Sequence, residues 1–132
     1  MGMTKVFYLV KKNELTLEDA ESRMSKLAQM ERQSYTMFYG EKWDWISVFE
    51  TWLCEGAYNA DDDFLHSLEE NFSGDAIALS VFDSDVAFVA LWQEKEKFTF
   101  AEELLQKLAD LLHAKLVFGE DDELEDAERI CF

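Results

Sequence analysis

Proline is absent from the 132 residues, where ordinary usage of about 5% would supply several. Glycine occurs only five times. A chain so poor in both turn residues has little room for long flexible linkers, so regular elements with short connections are expected. Cysteine is limited to Cys54 and Cys131, too few for a disulfide scaffold. No apolar run approaches the roughly 18–20 residues of a membrane-spanning helix. The opening Met1-Gly2-Met3-Thr4-Lys5 has neither the apolar stretch of a secretion signal nor a myristoylation pattern, which needs Ser or Thr where Val6 stands. The cytoplasm is therefore the expected compartment.

The scarcest thing is positive charge. Twelve Lys and Arg face twenty-nine Asp and Glu, a net charge of −17. Direct binding to DNA, RNA or anionic membrane is disfavoured at that charge. Hydrophobic residues still make up 48% of the chain, enough to fill a core, so it is not a disordered acidic tail. The charge is also uneven. Residues 1–42 carry a net +1, residues 43–94 a net −12 with no Lys or Arg, residues 95–119 none, and residues 120–132 a net −6. An acidic middle of this kind suggests an interaction surface, while the plainer reading is a solubilising face.

Val6–Val10 is a short apolar run rich in β-formers and reads as a buried strand. Thr16 with Asp19 three residues on resembles a capping box. Leu17, Ala20, Met24, Leu27 and Ala28 then recur at helical spacing, predicting a helix over about 17–32, with Asp19 and Arg23 placed to pair on its other side. Residues 35–39 suit a strand ended by Gly40. Trp45, Phe49, Trp52 and Leu53 fall at i, i+4, i+7 and i+8, which predicts a buried helix stopped near Gly56. Asp61, Asp62 and Asp63 head another helix, with Phe64, Leu65, Leu68 and Phe72 on its apolar side and Gly74 expected as its C′ residue.

Ile77, Leu79 and Val81 alternate, as do Val86, Phe88, Ala90 and Trp92, and Asp83-Ser84-Asp85 between them predicts a hairpin. Thr99 and Glu102 form a second capping box before a leucine-rich helix ending near Lys115. Residues 116–118 read as a last strand. The expected fold is a single layered α+β domain over 1–119, with helices packed on a mixed sheet of about five strands around a central hairpin, in the order β-α-β-α-α-β-β-α-β. An acidic tail over 120–132 follows, with Ile130 and Phe132 placed to dock its end.

Recognised catalytic patterns are missing. Five scattered glycines make no phosphate cradle, and there is no Gly-x-Ser-x-Gly elbow. No Cys-x-x-Cys or His-x-x-x-His spacing suits zinc. His66 follows Asp62 and Asp63 by a helical turn, but offers two or three ligands at best. Asp83 and Asp85 on one turn have the form of an Asp-x-Asp metal pair, yet such a turn is ordinary in a hairpin. The acids of 120–126 lack the spacing of a calcium loop. Neither metal, cofactor nor catalytic residue is expected.

The remaining features suit recognition. Glu55, Asp61, Asp62, Asp63, Glu69, Glu70, Asp83 and Asp85 are the candidate partner-binding acids, all within the segment that has no Lys or Arg. Trp43 lies off the aromatic stripe and is the candidate hot-spot residue beside them. In size, acidity and mixed α+β pattern over the whole chain, it resembles bacterial immunity proteins, which sequester a cognate toxin domain. That resemblance implies a basic protein partner, such as a toxin or nuclease domain whose cationic groove the carboxylates fill in place of phosphates. Two other classes stay open. One is an oligomeric adaptor with an acidic solubilising surface, and the other is a small enzyme with a carboxylate site.

Overall fold

The computed structural model describes residues 5–50, 61–82, 86–91, 94–99, 101–114 and 128–132. Lys5–Lys11 forms β1, Leu17–Glu31 α1, Tyr35–Tyr39 β2 and Trp45–Glu50 β3. Asp62–Phe72 forms α2, Ala76–Phe82 β4, Val86–Leu91 β5 and Glu94–Thr99 β6. Ala101–Leu112 forms α3 and Glu128–Cys131 β7. The chain is an α+β domain whose described strands form one sheet of seven, ordered β6-β5-β4-β1-β3-β2-β7.

Among the described strands every pairing is antiparallel, where a mixed sheet was expected. The helix between β1 and β2 suggests a parallel crossover, and the two strands do run the same way. β3, however, inserts between them and pairs with both. This makes the central neighbours antiparallel without a long connection.

Alternation along β1 divides the core. Val6, Tyr8 and Val10 join Met37, Ile46, Val48 and Ala78 on one face, covered by Met24 and Leu27 of α1 and Phe64, Leu65, Leu68 and Phe72 of α2. Phe7 and Leu9 join Ile77 and Leu79 on the other face, against Leu108, Ala109 and Leu112 of α3. The molecule is thus a sheet between two helical layers.

The segment expected to form a helix from Trp45 is instead β3. Its stripe is ambiguous, because a spacing of four lies close to one helical turn of about 3.6 residues and equals two strand periods of about two. Ile46 and Val48 are fully buried on the α1–α2 face, while Ser47 is buried facing away. Trp, Ile, Val and Phe are β-formers, and the edges of β1 and β2 supply the backbone partners. Trp52, Leu53 and Gly56 lie outside the described residues.

The remaining expectations divide similarly. The central hairpin is present, its strands paired from Ala78↔Ala90 to Phe82↔Val86. Its Asp83–Asp85 turn lies outside the described residues, as do the strand expected at 116–118 and residues 120–127 of the acidic tail. The end of that tail is sheet. β7 pairs with β2, and Ile130 and Phe132 pack against the core. β6 was not foreseen, since Glu94-Lys95-Glu96-Lys97 has no apolar alternation to mark a strand. An edge strand tolerates and even favours such charges. Not every leucine of the leucine-rich α3 is buried: Leu111 is 83% exposed.

Candidate functional site

Asp61 begins the acidic helix as its N-cap. Its backbone is extended, with φ −87° and ψ 111°, and its Oδ1 accepts from the N–H groups of Asp63 at 3.0 Å and Phe64 at 3.3 Å. Its own N–H donates to the Tyr8 hydroxyl at 3.0 Å. Beneath it, Phe64 meets the Tyr8 ring edge-on at 4.8 Å and stacks on Tyr35 at 5.1 Å. The head of α2 is therefore anchored in the core by three aromatic rings. Asp61 serves the helix, while Asp62 and Asp63 stand exposed in the first turn, where the helix dipole favours them.

Glu69 and Glu70 continue the same outward face. From Asp62 to Glu70 the ridge extends about 12 Å at 1.5 Å per residue. His66 Nε2 lies 2.9 Å from Glu70 Oε1, so the imidazole is tied to the ridge. Glu31 at the end of α1 adds another carboxylate, accepting from the Ser67 hydroxyl at 3.2 Å. The helix carries no Lys or Arg, and its apolar side is wholly committed to the core. Such a face is a rigid negative ridge, able to attract and orient a cationic surface.

Glu55, Asp83 and Asp85 lie outside the described residues. Trp43 is half-buried at the turn between β2 and β3. Its ring sits 5.1 Å from that of His113, with the Lys42 ammonium 5.4 Å from its centroid. His113 ends α3 with φ 55°, and its Nδ1 is 3.3 Å from Asp44 Oδ2. The Asp44 N–H also donates to the His113 carbonyl at 2.9 Å. Asp44 O in turn accepts from Lys12 N, beside Lys11, whose N–H reaches Asp75 just past the end of α2. Trp43 thus packs against the end of α3, whose Leu108, Ala109 and Leu112 lie on the sheet face opposite α2. The structure brings Asp62, Asp63, Glu69 and Glu70 together and sets Trp43 apart from them.

Two basic residues matter in ways the sequence did not signal. Lys12 is buried, and its Nζ donates to the carbonyls of Gly40 at 3.0 Å and Glu41 at 2.6 Å, 5.3 Å from the Tyr39 ring centroid. It pins the β2–β3 turn. The Tyr39 hydroxyl donates to the Leu15 carbonyl at 2.7 Å, and burial, then Glu41 and Asp19, raises its pKa above the ordinary tyrosine value. Arg23 does not pair with Asp19 as the helical spacing suggested. Its Nη1 donates to the Asn71 carbonyl at 2.7 Å, near the end of α2. Both contacts join residues far apart in sequence, which local patterns cannot reveal.

Among the described residues, no group of three or more His, Cys, Asp or Glu side chains is arranged to hold a metal ion. No described helix is long and apolar enough to cross a membrane. Comparison of the chain with protein-family models, with curated proteins and with solved structures finds no match in any of the three.

Proposed function

We propose that this protein is an acidic binding module that sequesters a basic protein and blocks its working surface, in the manner of an immunity protein neutralising a bacterial toxin such as a nuclease. The observation that carries this reading is the outward face of α2, where Asp62, Asp63, Glu69 and Glu70 share one rigid ridge without a cation from the same helix. A cationic groove built for phosphates meets carboxylates there instead. The mechanism is encounter steered by opposite charge, followed by steric occlusion. The reading gives this chain no chemistry of its own, and its partner is a protein rather than nucleic acid or membrane.

The test is affinity capture from a lysate of the source cells, at low and high salt, read by mass spectrometry. The control is the isosteric variant Asp62→Asn, Asp63→Asn, Glu69→Gln, Glu70→Gln. A basic protein retained stoichiometrically by the native chain, released by salt and lost with the variant is the expected result. Equal retention by the variant would remove the α2 face from the reading. Recovery of this chain alone would favour an oligomeric subunit.

A further inference from the structure

Among the described helices, α1 and α2 cover one face of the sheet and α3 alone covers the other. Leu108, Ala109 and Leu112 form the inward side of α3 and pack on the sheet. The apolar character of the helix extends beyond that side. Leu111 is 83% exposed, and Leu104 stands seven residues before it on the same helical face. Leu91, 43% exposed, belongs to the same region. It ends β5 on the face of Val89, and the end of β5 pairs with the start of β4. Asp75, just before β4, accepts from Lys11, Lys11 pairs with Trp45, and the neighbouring Asp44 N–H holds the His113 carbonyl at the end of α3. Two of the three large apolar side chains exposed among the described residues therefore lie at one end of the α3 layer. Single exposed leucines need no explanation, whereas leucines gathered at one place mark a contact surface.

Charge decides what covers this flank. Residues 43–94 carry a net −12 and residues 120–132 a net −6, while residues 95–119, which contain all of α3, sum to zero. A strongly charged partner of either sign gains little attraction from a neutral strip. A second copy of the chain is repelled by most of a surface of net charge −17, and a neutral strip is where it can approach. The strip is also self-complementary. Lys107 and Asp110, both exposed, flank Leu111. When two α3 helices lie antiparallel about a two-fold axis, the numbers of facing residues have a constant sum. Leu111 facing Leu104 of the second copy sets that sum. Lys107 then comes within about 3 Å, measured along the axis, of the level of Asp110 in the second copy. Leucine meets leucine, and each ammonium meets a carboxylate.

We propose that the outer flank of α3 is where this protein associates with a second copy of itself, through a two-fold contact between Leu111 and Leu104. The helix α2 lies across the sheet from α3, so both acidic ridges stay open in the dimer. The proposal stands whether or not the ridge binds a basic protein. Salt strengthens this contact, because screening removes the repulsion between two acidic bodies and leaves the apolar surface. A basic partner at the ridge responds in the opposite sense.

The experiment is analytical ultracentrifugation of the full chain, from about 5 µM to about 1 mM, at about 0.01 M and about 0.15 M salt. The expected result is a monomer–dimer equilibrium whose dissociation constant falls at least about threefold between the two salt concentrations. Leu111→Ser should weaken the dimer about tenfold, and because that side chain is exposed the variant keeps the fold, checked by circular dichroism. Lys107→Glu should weaken it about threefold. Met30→Ser removes the exposed apolar side chain of α1, on the other face, and should leave the equilibrium unchanged. A monomer at every concentration and salt would overturn the assignment. So would a dimer that weakens as salt rises, one indifferent to Leu111→Ser or Lys107→Glu, or one disturbed as much by Met30→Ser.

Discussion

Among the described residues, four other than glycine hold left-handed backbone: Asn13, Arg32, Ser73 and His113, with φ between 52° and 55°. Three of them terminate the three helices, and His113 does so as a full C-terminal motif, with Ala114 N–H on the Ala109 carbonyl and His113 N–H on that of Asp110. Ser73, not the expected Gly74, takes this conformation at the end of α2. Gly74 is needed for proximity instead: a Cβ there would sit 3.1 Å from the Lys11 carbonyl oxygen and 3.0 Å from Asn13 Nδ2. Arg32→Gly and Ser73→Gly should therefore each raise stability by about 0.5–1 kcal/mol, and Gly74→Ala should lower it by about 1 kcal/mol. Urea unfolding midpoints at unchanged slope would show both. Tyr39 supplies a pH prediction. Its folded-state pKa lies above the ordinary value, so its neutral form is the one the fold favours. That contribution is complete below about pH 10 and is lost as pH rises through the raised value. Tyr39→Phe should be less stable at neutral pH through loss of the bond to Leu15, but should show a shallower decline in stability above pH 10.

At the scale of elements, α2 separates acids that hold structure from acids that face outward. Asp61→Ala removes the cap from two N–H groups and should cost about 1 kcal/mol. The pair Asp62→Asn and Asp63→Asn should change stability by only a few tenths of that, because both are exposed and bear only on the helix dipole. Thermal or urea unfolding of the three variants gives the comparison directly. A loss as large for the exposed pair as for the cap would mean that the ridge is built for folding rather than recognition. The edge strands belong to this scale too. β7 is only four residues long, and β6 is drawn from a charged sequence. Both are features that discourage association through sheet edges.

The whole molecule carries a net charge of −17, and much of it repels itself. Added salt screens that repulsion, so the thermal midpoint should rise from low ionic strength toward about 0.15 M, where the screening length falls to about 8 Å. The same salt should slow association with a basic partner. Opposite responses of stability and binding to one variable are what the proposed binding surface predicts. A midpoint that falls over this range would show that local ion pairs outweigh the overall repulsion.

Period and capping made α1, α2, α3, β1 and the central hairpin legible from sequence, because each depends on neighbours within a turn or an alternation. Thr16 with Asp19 closed its capping box as its spacing implied. The acids of α2 were singled out only by the lack of Lys and Arg around them, and the face that Asp62, Asp63, Glu69 and Glu70 share emerges with the helix. Tertiary structure decided the rest. Strand β3 overrode a helical stripe because the adjacent edges of β1 and β2 required backbone partners, and β6 and β7 exist through pairing with β5 and β2. The removal of Trp43 from the acidic face, the burial of Lys12 and the turn of Arg23 toward Asn71 all follow from contacts between residues distant along the chain. Local chemistry determines which face a side chain takes on its own element. Only the packing of elements determines what that face meets.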